Sequence, residues 1–168
     1  MPVGAIGGSA EMMDMLDNTG HPTGITQSGT FSGNNLTLAA GLATLRALTP
    51  EVYAHLDSIG QRLAQGLDQA YADAGIPCQV LQRGSVVNAY LTDRKVSDYR
   101  SFMTSDTATT TRINLALLLK GYNLGTAPME FMLSSPLTDK HIDGFLDCLL
   151  YTSPSPRDAT LSRMPSSA

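Results

Sequence analysis

Residues 27–35 read QSGTFSGNN and run directly into LTLAAGLATLRAL, an Ala/Leu-rich stretch. Ser28, Thr30 and Ser32 offer hydroxyls, while Gly29 and Gly33 let backbone approach a ligand closely. The first turn of a helix leaves N–H groups unpaired and gathers roughly half a positive charge from the aligned peptide dipoles. A phosphate suits such a place. So does an ordinary N-cap with no ligand, and the local residues alone favour that plainer reading. Neither a Walker lysine nor a G-x-G-x-x-G accompanies the stretch.

Other chemistry is thinly represented. Lys95, Lys120 and Lys140 fall in a polar loop, at a helix end and in a first helical turn, where each reads as a solvated side chain rather than a nucleophile. Glu11, Asp14 and Asp17 read as a solvated helix face, not an acid/base pair. Tyr90 and Tyr99 read as core residues with polar tips. His21, His55 and His141 lack ligand spacing, so no metal site is expected. Cys78 and Cys148 form no CxxC and read as buried thiols rather than a disulfide.

The elements that must position these groups follow from pattern. The 168 residues suffice for one domain with a core and are marginal for two. Apolar residues make up 42% and the net charge is -4, which argues against a nucleic-acid binder. Apolar runs are too short to span a bilayer, and the start lacks a signal-peptide pattern, so a cytoplasmic protein is expected.

Residues 2–8 read as a buried strand, followed by a short helix with Ser9 as N-cap. Residues 17–24 (DNTGHPTG) are turn chemistry. A helix beginning near Asn34 carries Leu36, Ala39, Ala40, Ala43 and Leu45 on one side. Thr49 and Pro50 open a long helix whose stripe is Val52, Leu56, Ile59, Leu63, Leu67 and Ala70, closed by Gly75 and Pro77. Strands are expected over 78–81, 85–91 and 130–133, a loop over 93–99, and helices over 109–120 and 139–149. That order suggests an α+β unit with helices on one face of a small sheet.

The last 18 residues, YTSPSPRDATLSRMPSSA, are rich in Ser, Thr and Pro and predict no packed structure. The segment LLYTSPSPRD resembles a translated sequencing-library adapter, so everything after about Asp147 reads as foreign.

MPVGAIGG followed by SGTFSGNNLTLAAGLATLRAL, LRALTPEVY and the closing LSSPLT resembles the class III pyridoxal-phosphate-dependent aminotransferases over residues 1–147. Glutamate-1-semialdehyde 2,1-aminomutases are the most similar members. The family pattern G-T-x-S-G-N-P-L is matched from Gly29 to Asn34, with Asn35 where proline is usual. The resemblance implies the C-terminal portion of an α/β, fold-type I transferase. Residues 1–49 would end the large cofactor domain, residues 50–150 would form a connecting helix and a small α+β domain, and 151–168 would be a disordered, non-native tail.

It further implies a homodimer acting on a small amino-acid or amino-aldehyde substrate, with no nucleic-acid or membrane partner. The amino group would move through a Schiff base on a lysine that lies before PVGA in the family. That lysine has no match in this chain, which therefore holds no catalytic residue and is expected to be inactive alone. Thr30, helped by the backbone of Gly29, would reach the phosphate of the pyridoxal phosphate held by the partner subunit. The competing reading is a non-catalytic helical interaction module in which residues 27–35 only cap a helix.

Overall fold

The computed structural model describes residues 3–17, 19–20, 24–25, 29–124 and 129–152, with the side chains of 151 and 152 excepted. The chain divides into two compact units, Met1–Thr49 and Pro50–Ala168.

The first unit holds α1 (Ala10–Asp14) and α2 (Asn35–Ala47). Ser9 caps α1, its Oγ accepting the Met12 N–H at 3.4 Å. Asp17 builds the next turn by accepting the Thr19 N–H and hydroxyl at 2.8 and 2.7 Å, bonds that hold its carboxyl below the usual range. Asn18, His21, Pro22 and Thr23, part of the same turn motif, lie outside the described residues.

One expectation is corrected in this unit. Residues 3–8 are exposed, irregular backbone and not a buried strand; among the described residues no strand pairs with them to take their backbone hydrogen bonds. Val3 instead lies on Gly41, where an added Cβ would stand 3.1 Å from a Val3 methyl carbon. That contact sets the buried face of α2, Thr37 and Gly41, one helical turn apart. Leu36 and Leu45 are exposed, as are Leu38 and Leu42.

In the second unit α3 (Pro50–Asp73) is the central element, and Pro50 occupies the first helical position as its fixed φ favours. Leu56, Ile59, Leu63, Leu67 and Ala70 of the expected stripe are buried, joined by Tyr71, and Val52 packs at the edge. Gly75 closes the helix with φ 66°. The chain then forms β1 (Gln79–Arg83) and β2 (Val86–Tyr90), an antiparallel hairpin turned by Gly84 at φ 55°. β3 (Met129–Met132) pairs antiparallel with β2, Val87 opposite Phe131 and Ala89 opposite Met129. The buried side chains of Val87, Ala89, Met129 and Phe131 share one face of the sheet and pack with those of α3 and of α6 (Asp139–Thr152). The other face carries the half-buried Asn88 and the exposed Leu81, Glu130 and Met132.

α5 (Thr107–Leu119) starts two residues before its expected position because Asp106 caps it, accepting the Thr109 N–H at 2.9 Å. Gly121 stops it with φ 94°. The loop expected over 93–99 contains the start of a short helix, α4 (Tyr99–Phe102), held by a reciprocal capping box between Asp98 and Ser101. Tyr99 is no core residue: it is 73% exposed, whereas Tyr90 is half-buried and packs edge-on against Phe102.

α6 covers the helix expected over 139–149 and runs past Asp147, after which the sequence reads as foreign. Leu149 is fully buried in the core and Cys148 packs against it, so the chain contributes to the fold beyond the adapter-like composition. The helix backbone continues to Thr152, two residues into the expected tail, and residues 153–168 lie outside the described residues.

An exposed clamp joins α3 to α6. Arg62 Nε and Nη2 donate to the Asp143 carboxylate at 2.7 and 2.9 Å, holding its carboxyl below the usual range. A lowered folded value stabilises the fold above the ordinary carboxylate range, and that stability is lost as pH falls through the folded value. Asp143→Asn is expected to flatten the acid side of a urea-stability profile slightly, since both partners face solvent. An unchanged acid slope would rule the clamp out as a contributor. Among the described residues no helix is long and apolar enough to cross a membrane.

Candidate functional site

The approach to α2 resolves into two separate devices. Asn34 caps the helix: its Oδ1 accepts the Thr37 N–H at 3.1 Å and its carbonyl accepts the Leu38 N–H at 2.9 Å. Ahead of it, residues 29–33 form their own turn. The Gly29 carbonyl accepts the Ser32 N–H at 2.9 Å, the Phe31 carbonyl accepts the Asn34 N–H at 3.2 Å, and Gly33 adopts φ 71°. A side chain at Gly33 would be strained in that left-handed conformation. At Gly29 a Cβ would stand 3.2 Å from Ser32 Oγ, crowding the turn.

Gly29 and Thr30 are both exposed, and they line a shallow cleft of about 320 Å³ together with Val3, Gly4 and Leu38. The donors at this cleft are neutral. The first turn of α2 holds no acidic residue, so no carboxylate offsets the positive end of the helix. This chemistry fits a phosphate: exposed hydroxyls, a glycine-lined turn and a helix start, without a cation to neutralise the full charge. Gln27 and Ser28, which open the motif, lie outside the described residues.

The role of Asn34 and the approach of Val3 and Gly4 were not separable by sequence, because QSGTFSGNN contains several residues able to cap. The signal was the spacing of Asn34 to Thr37, three residues, which suits an N-cap carbonyl oxygen and the N3 amide.

No other cluster competes. Lys95, Lys120 and Lys140 are exposed. Burial pushes the Cys78 thiol up to about 12, with the Asp68 carboxylate adding to the shift, so it stays protonated and is no nucleophile. Neither Cys78 nor Cys148 is in a disulfide. Among the described residues no group of His, Cys, Asp and Glu is arranged to hold a metal ion.

No family model matches the sequence. The glutamate-1-semialdehyde 2,1-aminomutase of Desulfosudis oleivorans is 42% identical over 145 residues, 85% of this chain and 33% of that protein. An omega-transaminase from Sphaerobacter thermophilus superposes with a TM-score of 0.79 at 34% identity, over 90% of this chain and 35% of that one. A transaminase solved with PLP bound superposes with a TM-score of 0.72 over 90% of this chain and 34% of that one; at 20% identity the likeness is one of fold. The chain spans about a third of the length of the curated relatives it matches.

Proposed function

We propose, for a chain whose sequence and fold are those of about a third of a class III, fold-type I aminotransferase, that Gly29 and Thr30 form a phosphate-gripping wall for pyridoxal phosphate. The observation that carries this reading is the separation of grip from cap. Asn34 supplies the side-chain cap on the Thr37 N–H, and the Thr30 hydroxyl stands exposed in the separate turn ahead of it, where a phosphate could reach it.

In this reading the Thr30 hydroxyl donates to a phosphate oxygen of the cofactor held in the partner subunit of a homodimer. Gly29 lets the backbone come within reach, and the Asn34 cap fixes where the turn stands. The positive end of α2 adds a favourable field over the first turn. When bound, the cofactor supplies an electron sink for bond breaking at the amine-bearing carbon. This chain's share of the work is to hold and orient. The whole enzyme would transfer an amino group on a small amino acid or amino-aldehyde in the cytoplasm, as an aminotransferase or an aminomutase.

The test uses the complete enzyme, with its lysine-bearing upstream part. Titrating the apoenzyme with pyridoxal phosphate, we expect Thr30→Ala to weaken binding at least about tenfold, the scale of one hydrogen bond to a charged group. Thr30→Ser, which keeps the hydroxyl, should retain most of the affinity. Equal affinity in all three proteins would remove Thr30 from the site.

A further inference from the structure

We infer that α6 begins on a histidine-dependent cap that opens when His141 takes up a proton. The Thr138 backbone N–H lies 3.1 Å from His141 Nδ1, and the Thr138 hydroxyl lies 2.9 Å from the same nitrogen. A backbone N–H can only donate, so Nδ1 must be the bare, accepting nitrogen of a neutral ring carrying its proton on Nε2. In return the Thr138 carbonyl accepts the His141 and Ile142 N–H groups at 2.9 and 3.2 Å. His141 thus stands where glutamate or glutamine closes a capping box, three residues after the cap. Unlike glutamine, it loses its acceptor on protonation. The cationic ring then turns an Nδ1–H donor toward the Thr138 N–H donor, keeping at most the Thr138 hydroxyl as its acceptor, and places positive charge at the positive end of the helix.

The same segment is pinned from the other side by a histidine that does not switch. His55 Nε2 of α3 lies 2.8 Å from the Leu137 carbonyl. A carbonyl only accepts, so His55 donates there, and it can do so neutral or charged. Protonation therefore opens the cap at Thr138 while the Leu137 anchor stays.

The surrounding charges supply no second acceptor for Thr138. Asp139 of α6 reaches toward Arg62 of α3 at 4.0 Å, and Arg62 also holds Asp143. Lys140, Glu130 of β3 and Tyr122 line a cavity of about 690 Å³ together with His141 and Leu137. The capped turn is one wall of that cavity, so opening the cap loosens the wall.

Amide hydrogen exchange of Thr138, corrected for the intrinsic pH dependence, tests this in the 168-residue chain. Protection should fall roughly five- to tenfold, the scale of a lost helix cap, as pH is lowered. The fall should share its midpoint with the titration of the His141 imidazole carbon resonance. His141→Gln should keep Thr138 protected throughout, and His141→Ala should leave it unprotected at every pH. The inference is overturned by a Thr138 profile in His141→Gln that matches the wild type, or by full protection in His141→Ala.

Discussion

Leu67→Ala lowers the stability of the second unit by about 2–5 kcal/mol, the range for emptying a buried leucine site. Leu67 is completely buried in the last third of α3, the helix that packs against β1, β2 and α6. The lost methyl groups remove transfer energy, and the cavity remains because helix and sheet are held apart by their other contacts. The measurement is a urea midpoint at unchanged slope. Leu115→Ala, at a site 55% exposed, serves as the comparison and should shift the midpoint little. If the two variants lost equal stability, the core would not be centred on α3.

Gly60→Ala is expected to cost about 1–3 kcal/mol, even though alanine is the better helix former by about 1 kcal/mol. A Cβ at Gly60 would stand 2.6 Å from the Gly84 carbonyl oxygen and 3.2 Å from Gln82 Nε2. That carbonyl is backbone, fixed at the hairpin turn by the Gln82 side chain, which donates to it at 2.8 Å. Helix and hairpin must therefore part. Gly66 provides the contrast: a Cβ there would overlap only the Leu146 side chain, which can change rotamer. Gly66→Ala should be the milder variant by urea denaturation. A stabilised Gly60→Ala would mean that the helix and hairpin are not held at this spacing.

Elements with a strong local period were legible. The stripe from Val52 to Ala70 has the helical spacing, and its start at Pro50 and end at Gly75 are local chemistry. The hairpin around Gly84 and the strand ending at Met132 followed from alternation and turn residues. α4 was missed because its four residues, Tyr99–Phe102, are too few to show a period; its capping box depends on side-chain geometry. Tyr99 was misjudged for the same reason, since a tyrosine in a loop gives no signal of which way it faces. The family resemblance was also legible, through GTFSGN.

The sequence by itself determined the long helix α3 with its start at Pro50 and its stop at Gly75, and that residues 27–35 could cap or grip. It could do so because helix period, proline, glycine and capping residues act within a few positions of one another. Only the tertiary structure assigned the cap to Asn34, leaving Thr30 exposed. It also turned Thr37 and Gly41 inward in place of the leucines of α2, and drew Leu149 into the core despite the composition around it. Those outcomes depend on which surfaces meet, and contact between distant residues such as Val3 and Gly41, or Gly60 and Gly84, has no period for a sequence to display.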